Sequence, residues 1–490
     1  MTAPVPVRML VFCLMASMLV VSFNQTVLNT ALPTIIAELG GLDRIGWIVA
    51  AFVLTSTLSM PLAGALSDVL DRKRLLFGAS IVFGLGTLFG ALSWNLDVLI
   101  IARLAQGIGG GGVMVLTQTI MAAAVPSRER AKYAGAFGSV WAVATISGVL
   151  IGGWLTDGPG WRWVFWGTLP LLVVALALGA RYIAPSPPSD VPVHPDIAGM
   201  LLLCIATTAL VTATSATLPT EWSWFIAVVG AGAVCALFFA EHRADQPVLP
   251  GILFRSRTFV FATLAGTLCS GVASFVVLSY LPAFAQMVLG LSAFQAGLLL
   301  LPMIVATVTS STLTGFAVSR TGRYVLVPAV GAAAVVIGLL LLGTLGPDTT
   351  PLQLSLSAAL LGAGIGTNVL LLTLLAQNAL PPDKIGVATA ANNFFRQAGA
   401  TMGISLVGVG FARRLEDSLS EALVRHGMQT TSSLATTAPD KLARLTPELH
   451  SAVAEAYAAA LPPLFLALTP LAVIALLMIV SLERRPLADR

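Results

Sequence analysis

The chain has 490 residues and a net charge of +4, and 57% of its residues are hydrophobic while only 10% are charged. Charged residues make up about a quarter of a typical soluble domain, so this composition excludes an ordinary soluble protein and predicts an integral membrane protein. The cysteines all fall inside apolar runs, which indicates neither a disulfide framework nor a metal cluster. They are Cys13, Cys204, Cys235 and Cys269. No cofactor is expected.

Fourteen apolar runs are long enough to cross a membrane as helices, because the hydrocarbon core takes about 20 residues. In chain order they lie near residues 9–33, 46–66, 75–94, 98–118, 133–154, 163–184, 197–217, 222–240, 259–287, 293–317, 325–345, 353–378, 387–411 and 460–481. The sequence therefore predicts an all-α integral membrane protein with 14 transmembrane helices.

The first run continues into Asn24-Gln25-Thr26 without a small-residue cleavage site, so we expect a retained helix with the N-terminus in the cytoplasm. Fourteen spans then place the C-terminus there too. Outward connections before residue 412 hold only Arg44 and Arg162, in agreement with the positive-inside rule. The inward connections hold Arg72, Lys73, Arg74, Arg128, Arg130, Lys132, Arg243, Arg255, Arg257, Arg320, Arg323, Lys384, Arg484 and Arg485. The basic balance thus implies a multi-pass protein of the cytoplasmic (inner) membrane and no nucleic-acid partner.

Two polar linkers divide the chain. The expected parts are an N-terminal six-helix bundle over 1–184, a cytoplasmic linker over 185–196, an inserted helix pair over 197–240, a second linker over 241–258 and a C-terminal six-helix bundle over 259–490. Within the last part, residues 412–459 are polar and predict one large external loop. Short amphipathic helices are expected around Leu415–Val424 and Pro447–Ala460, and the Thr/Ser-rich stretch Gln429–Pro439 between them favours flexibility.

A charged motif between spans two and three is the strongest local signal. Residues 64–74 read Gly-Ala-Leu-Ser-Asp-Val-Leu-Asp-Arg-Lys-Arg, and residues 315–323 repeat the plan about 251 residues later. Two halves with one plan are typical of a transporter.

Further motifs follow in a fixed order. They are Thr26-x-x-Asn29-x-Ala31-Leu32-Pro33, Gly64-x-Leu66-x-Asp68-x-x-Asp71-Arg72-Lys73, Arg103-x-x-Gln106-Gly107-x-Gly109, Gly148-Val149-x-x-Gly152-Gly153, Trp161-Arg162-Trp163-Val164-Phe165, Tyr280-Leu281-Pro282 and Asn393-Phe394-Phe395-Arg396-Gln397-x-Gly399. Together they resemble the major facilitator superfamily, and within it the fourteen-span drug/proton antiporter branch. The resemblance covers nearly the whole chain and implies the major facilitator fold, two six-helix bundles plus an inserted pair.

The departures from that resemblance concern coupling. The branch usually has an aspartate where this chain has Asn24, a glycine at Asp71, an arginine at Val69 and a proline at Val149. The loss of the aspartate at Asn24 puts proton coupling by the usual residue in doubt.

Two arginines stand well inside predicted spans, Arg103 and Arg396. Charged groups inside a bilayer are costly and are functional candidates by default. With Asn24 they form our expected coupling or substrate-charge group. They could provide a positive cavity for an anionic or strongly polar substrate, or they could satisfy carbonyls and neighbours such as Gln106 and Asn393 and hold the helices in register.

The charged loop predicts a conformational latch of Asp68, Arg72, Lys73, Arg320 and Arg323. In this interpretation Asp68 caps or pairs with neighbouring helix ends while the inside is closed. Because Ser319 stands where the repeat would carry the aspartate, Asp68 is expected to be the stronger latch. The alternative is a solvated basic loop that only fixes topology.

Glycines and scattered polar residues complete the candidate set. Helix-packing glycines that could permit sliding, or simply packing, are Gly107, Gly109, Gly148, Gly152 and Gly153. Residues that could line a mostly apolar pathway, or could hydrogen-bond between helices, are Gln25, Asn29, Gln106, Met114, Gln118, Phe275, Phe284, Gln286, Asn368, Gln377, Asn392, Asn393 and Phe394.

These patterns favour a secondary transporter that exports hydrophobic or amphipathic small molecules by alternating access, with proton antiport implied by the resemblance. The alternatives are an exporter of a lipid or anionic metabolite, or an uncoupled facilitator. An enzyme is disfavoured because the histidines are scattered in loops. The expected partners are a small-molecule substrate, protons and the lipid bilayer, and we expect a monomer.

Overall fold

Helices make up most of the computed structural model. They are α1 Val7–Leu39, α2 Ile45–Ser67, α3 Arg72–Ala91, α4 Leu96–Ala124, α5 Trp163–Tyr182, α6 Ile197–Thr214, α7 Thr220–Arg243, α8 Ile252–Arg255, α9 Arg257–Gly266, α10 Ser274–Met287, α11 Ala293–Leu298, α12 Leu301–Thr321, α13 Leu326–Leu342, α14 Pro351–Asn378, α15 Ile385–Arg425, α16 Pro447–Ala460 and α17 Pro462–Val480. A π-helical segment, Thr267–Ala273, joins α9 to α10, and a 3-10 turn, Pro382–Lys384, precedes α15. The structure describes residues 7–39, 45–125, 158–185, 196–214, 220–244, 247–321, 326–425 and 447–482, with isolated positions between 133 and 156.

The predicted all-α membrane architecture is confirmed. Within the described residues, 10 helices are long and apolar enough to cross a membrane, and α13 is a shorter apolar helix. A helix suits this setting because it satisfies its backbone polar groups within one segment. The count of 14 stays a prediction, since the predicted span near 133–154 lies mostly outside the described residues.

Glycines on one face of α4 allow α2 to approach it backbone to backbone. A Cβ atom added to Gly107 would lie 2.5 Å from the carbonyl oxygen of Phe52, and one added to Gly111 would lie 2.2 Å from that of Ser56. Helices can pack this closely only where the side chains are absent. These glycines therefore set the spacing between α2 and α4.

The C-terminal half repeats the same contact. A Cβ atom on Gly362 of α14 would lie 2.2 Å from the carbonyl oxygen of Met303 in α12, and one on Gly366 would lie 2.0 Å from that of Thr307. The α12 residues follow their α2 counterparts by about 251 residues, the interval at which the charged loop motif repeats. The sequence repeat is thus a repeat of helix packing.

Each half has its own apolar core. The core of the C-terminal half is continuous and draws on α9, the π segment, α10, α13, α14 and α17. In the N-terminal half, two clusters fill the space around α1, α2, α4 and α5. Helices α6 and α7 pack against each other, and α6 also contacts α2 and α15. The boundaries between the five expected parts of the chain stay predictions.

The halves meet along a line that we call the seam, where α2 and α4 contact α15. The seam is tightest at the predicted cytoplasmic end of α2. There, a Cβ atom on Gly64 would lie 2.1 Å from the Cβ of Ala390 and 2.7 Å from the carbonyl oxygen of Gly386. No side chain larger than hydrogen fits at Gly64 in this closed arrangement.

Helix α15 differs from the prediction because it does not end near residue 411. It runs for 41 residues to Arg425, so the expected helix around Leu415–Val424 is its continuation. The expected helix at Pro447–Ala460 is present and packs on it through a separate apolar cluster of Met287, Leu415, Leu419, Ala422, Leu423, Ala452, Val453, Ala456 and Ala460. Within the expected external loop, residues 412–425 and 447–459 are therefore helical and pack on each other, and we call these two helical segments the hairpin. The stretch Gln429–Pro439 lies outside the described residues.

The packing predicts the effect of a single methyl group in α4. In Gly107→Ala the new Cβ would overlap the backbone oxygen of Phe52, which cannot move aside without displacing α2. We expect a loss of about 1–3 kcal/mol of stability, seen as a lower melting temperature and a smaller monodisperse fraction on size exclusion.

The matched control is Gly78→Ala in α3. Gly78 is exposed, and an added Cβ there meets nothing within 4 Å. Because alanine is the better helix former, this variant should be neutral or more stable by about 0.5–1 kcal/mol. Equal melting temperatures for the two variants would contradict the proposed close packing of α2 on α4.

Candidate functional site

Asp68 lies directly after α2 and joins the two halves of the molecule. Its Oδ1 accepts a hydrogen bond of 2.8 Å from the backbone N–H of Gly386, and its Oδ2 accepts one of 2.9 Å from that of Val387. These amides belong to the first turn of α15, whose N–H groups have no partner within the helix and favour negative charge. Helix α15 begins 317 residues after Asp68, and Gly386 lies 318 residues after it. Asp68 therefore caps a helix that is distant in sequence.

Burial shifts the titration of Asp68. Its side chain is only 4% exposed. Desolvation raises the pKa of Asp68 to about 6, although the hydrogen bonds from Val387 and Gly386 and the charges of Arg72 and Lys384 oppose the shift. The carboxyl group in the closed seam therefore changes its charge near pH 6.

The other predicted latch residues are placed unequally. Arg72 lies 3.8 Å from Asp68 and donates from Nε to the carbonyl oxygen of Ser67. Lys73 points elsewhere and donates to the carbonyl oxygen of Ala180 at the end of α5, which corrects its predicted role in the latch. Cations are favoured at such a helix C-terminus.

The repeat motif adds little to the latch in this state. Arg320 is exposed at the end of α12, and the side chain of Ser319 and all of Arg323 lie outside the described residues. We use "latch" below for Asp68, the amides of Gly386 and Val387, and Arg72.

Arg103 is fully buried in the N-terminal half. It donates from Nη1 to Gln106 Oε1 at 2.9 Å and to Asn24 Oδ1 at 3.3 Å, and from Nε to the carbonyl oxygen of Ile48 at 3.2 Å. Its guanidinium also lies over the ring of Phe52, 4.3 Å from the centroid. The predicted contact between Arg103 and Asn24 is thus present in the structure.

The network around Arg103 extends through neutral groups. Gln106 donates to Asn24 at 3.2 Å and to Thr87 at 2.9 Å, and Asn24 donates to Thr168 at 3.3 Å. All of these side chains are buried. None of the ion pairs among the described residues includes Arg103. This geometry favours the structural interpretation of Arg103, and it places Gln106 in the network rather than on a pathway.

Arg396 lies at the seam and makes fewer hydrogen bonds than Arg103. Its Nη2 donates to Asn393 Oδ1 at 2.8 Å, and Asn393 in turn donates to Gln118 of α4 at 3.0 Å and to the carbonyl oxygen of Thr389. This chain of bonds is a second polar link between the halves. The Nε atom of Arg396, however, is buried without a hydrogen-bond partner.

The predicted pathway residues separate into three groups. Phe284 and Phe394 are buried in the C-terminal core, so they do not line a cavity here, and Asn392 and Gln377 hydrogen-bond between α14 and α15. Asn368 is fully buried, and the side chain of Asn29 lies outside the described residues. Those that remain partly exposed are Gln25, Met114, Gln118, Phe275 and Gln286.

The predicted packing glycines near residue 150 meet α1. A Cβ atom on Gly148 would lie 2.1 Å from Thr26 Oγ1, and that hydroxyl donates to the carbonyl oxygen of Ala144. Gly152 is buried, and Gly153 lies outside the described residues. Gly109 of α4 faces α3 in the same close way.

A polar clamp closes the opposite end of the N-terminal half. Glu38 accepts from Trp161 Nε1 at 2.6 Å and from Arg162 Nη1 at 2.5 Å, and Arg162 also donates to the carbonyl oxygen of Ser93. The hydrogen bonds from Arg162 and Trp161 hold the pKa of Glu38 below its ordinary value. A cavity of about 560 Å³ lies beside this clamp, lined by Glu38, Pro159, Gly160, Trp161, Arg162, Trp163 and Trp166.

Sequence reasoning missed several partners. Thr87 and Thr168 complete the Arg103 network, and the backbone amides of Gly386 and Val387 complete the latch. No side-chain pattern marks a backbone donor, although Pro381 and Pro382 signal that a helix begins just after them. Among the described residues, no group of three His, Cys, Asp or Glu side chains could hold a metal ion.

Comparison with known proteins gives the family context of this site. Residues 14–404 match the family described as the Major Facilitator Superfamily. The chain is 36% identical over 493 residues to the uncharacterized MFS-type transporter MT1926 of Mycobacterium tuberculosis (strain CDC 1551 / Oshkosh), a match that covers 99% of this chain and 71% of that protein. It is 32% identical over 426 residues to the multidrug transporter protein MdtP of Bacillus subtilis (strain 168), which covers 85% and 77% of the two chains.

A solved structure shares the fold. The crystal structure of the human organic anion transporter MFSD10 (TETRAN) matches with a TM-score of 0.64 and covers 95% of this chain and 99% of its own. The sequence identity is 15%, so the likeness is one of fold alone. The predicted major facilitator fold is thereby confirmed.

The latch predicts a local effect of Asp68→Asn. An amide can accept only one of the two N–H bonds and presents a donor to the other, so the cap should weaken by about 1–2 kcal/mol. We expect the amides of Gly386 and Val387 to exchange with deuterium about fivefold to thirtyfold faster. The control Asp348→Asn removes the same charge at an exposed position and should leave this exchange unchanged. Slow exchange in both variants would contradict the latch.

The pKa of Asp68 predicts a pH dependence of stability. Its folded value of about 6 lies above the ordinary 3.8, so the folded protein holds the proton more tightly than the unfolded chain. The contribution is therefore complete below about pH 4 and is lost as the pH rises through about 6. We expect the melting temperature of the wild type relative to Asp68→Asn to fall over this window and to level off above it. A constant difference would show that Asp68 titrates as an exposed carboxyl group.

Proposed function

Since the chain belongs to the Major Facilitator Superfamily, we propose that this membrane transporter exports hydrophobic or amphipathic small molecules across the cytoplasmic membrane by alternating access. A relative with 32% identity is named a multidrug transporter, which supports export of varied compounds. The partly exposed Met114, Phe275 and Gln118 provide apolar surface with scattered polar groups. Such a surface tolerates ligands of different shapes.

The latch is the observation that carries the proposal. A carboxylate from one half caps a helix of the other half, and the backbones beside it meet at Gly64 and Gly386. A contact of this kind either forms completely or is broken, because two close-packed surfaces do not deform gradually. It therefore suits a carrier that closes one end of its pathway at a time.

In the proposed cycle, the structure corresponds to a state closed at the Asp68 end. Release of Gly386 and Val387 from Asp68 would let α15 move away from α2 and open that end to the cytoplasm. The carboxylate would then be hydrated and would keep its neighbour Arg72. The clamp of Glu38, Trp161 and Arg162 lies within the N-terminal half, so that half could move as one body.

Proton antiport is part of the proposal, and Asp68 is its candidate carrier. An antiporter needs a group whose protonation changes with conformation. Asp68 has a raised pKa of about 6 while it is buried in the seam, and it would return to an ordinary value in water. Opening the seam would thus lower the proton affinity of Asp68, so the protonation of the closed and open states would differ most between about pH 4 and 6.

A second candidate is an uncoupled facilitator or an exporter of an anionic metabolite or lipid. It is favoured by Asn24, which stands beside Arg103 in a network of neutral groups. Arginine itself does not release its proton usefully at physiological pH. The side chains bonded to Arg103 in this network are neutral, so the network offers no proton carrier of its own.

Reconstitution separates these possibilities. Purified protein is placed in liposomes that hold a pH-sensitive dye, and labelled cationic, neutral and anionic amphipaths are added in turn. We expect substrate entry together with proton movement, and loss of the proton signal in Asp68→Asn but not in Asp348→Asn. Substrate entry without proton movement would establish the uncoupled candidate. If no amphipath crosses faster than in protein-free liposomes, the export proposal fails.

A further inference from the structure

Polar atoms without partners cluster in the C-terminal half. The Oγ of Ser270, both side-chain polar atoms of Asn368 and the Nε of Arg396 are buried and make no hydrogen bond within the part of the chain that the structure describes. Ser270 is 2% exposed and Asn368 is 0% exposed. Buried polar groups are nearly always hydrogen-bonded, so three side chains with unpartnered polar atoms, on three different helical segments, indicate an absent partner.

The three side chains lie at one depth. Helices α9 and α14 run antiparallel, because Ser256 before α9 approaches the carbonyl oxygen of Ala379 after α14. Further along, Gly266 of α9 faces Leu372 of α14, since an added Cβ would lie 3.8 Å from the Leu372 Cβ. This register fixes which residues of the two helices stand side by side.

Ser270 of the π segment and Asn368 of α14 each lie four residues from the facing pair, so the antiparallel register places them at about the same level. The next residue, Gly271, touches α15. A Cβ atom there would lie 2.6 Å from the carbonyl oxygen of Arg396 and 3.5 Å from its Cγ. The π segment, which carries Ser270, thus contacts both α14, which carries Asn368, and α15, which carries Arg396. π-helical turns occur often at functional sites.

The charge of Arg396 is also unpaired. None of the ion pairs within the described ranges includes it, and its bonded neighbour Asn393 is neutral. Arg103 in the other half has three hydrogen bonds and an aromatic ring over its guanidinium. A guanidinium with a free N–H beside a hydroxyl and an amide is a donor set for an oxyanion.

The cluster can be reached from the seam. Arg396 is partly exposed, and Asn393 connects it with Gln118, which is partly exposed on α4. The polar end of a molecule between the halves would therefore meet Arg396 first. Ser270, in the π segment, and Asn368, in α14, are more deeply buried.

We infer that Arg396, Asn368 and Ser270 form an anion-binding site inside the C-terminal half, which takes the carboxylate or a similar oxyanion of an amphipathic substrate. This inference rests on the proposed transport function and makes its substrate class narrower. Arg396 supplies the charge, and Asn368 and Ser270 supply the hydrogen bonds that orient the anion. Arg103, the buried arginine of the N-terminal half, already donates three hydrogen bonds to protein groups.

Binding of benzoate to the purified protein tests the site, with benzylamine and benzyl alcohol as the cationic and neutral probes of the same shape. We expect benzoate to bind best, and to bind about tenfold or more weakly in both Arg396→Gln and Asn368→Leu. The fold should survive Asn368→Leu, because that change removes two unpaired buried groups rather than a bond. The matched control is Thr263→Val, which removes another buried, unpartnered hydroxyl two turns away on α9.

Several outcomes would overturn the inference. Equal binding of the three probes, an unchanged benzoate affinity in Asn368→Leu or an equal loss of affinity in Thr263→Val would each do so. The absence of any benzoate binding would also overturn it and would leave ordered water as the missing partner. Transport by the same variants in liposomes keeps the two proposals distinct. If neutral amphipaths still cross while benzoate shows no preference, only the anion site fails. If nothing crosses, the transport proposal itself fails.

Discussion

Taking a carboxylate out of water is unfavourable unless its oxygens receive hydrogen bonds in return, and Asp68 receives them only from the other half of the molecule. Its two oxygens accept from consecutive amides at the start of α15, and Arg72 adds a nearby positive charge. The closed seam and the burial of Asp68 therefore depend on each other. Neither half could bury this carboxyl group alone, which makes the contact a reporter of how the halves are arranged.

The two halves use one scaffold in different ways. Glycines on α4 and α14 bring in α2 and α12 at matching positions, so the framework is repeated. The polar interior is not repeated. In the N-terminal half, Arg103 is hydrogen-bonded to the neutral side chains of Asn24 and Gln106. In the C-terminal half, Arg396 and Asn368 have buried polar atoms without a partner among the described residues. Rigid packing can thus be shared by both halves while the surroundings of their buried arginines differ.

The ends of the molecule also differ in what holds them. At the latch end, the bonds cross between halves, so they must break if that end opens. At the other end, the clamp of Glu38, Trp161 and Arg162 stays within the N-terminal half, and the hairpin of α15 and α16 stays within the C-terminal half. Arg425 and Glu455 tie that hairpin together. Contacts within a half can persist through a rigid-body motion, and contacts between halves cannot.

The sequence by itself determined the membrane class, the helical architecture and the repeat, because hydropathy, charge and motif spacing are local properties of the chain, and it predicted a latch at Asp68. It also predicted that Asn24 and Arg103 would meet. The tertiary structure decided what local patterns do not encode. It placed the Lys73 ammonium group against Ala180 of α5, placed Phe284 in the core and extended α15 to Arg425. It also gave Arg103 three hydrogen bonds while the Nε of Arg396 has no partner among the described residues. Each of these outcomes depends on partners that are distant in sequence, such as Thr168 for Asn24 and Gly271 for Arg396, and only the packing of helices brings such partners together.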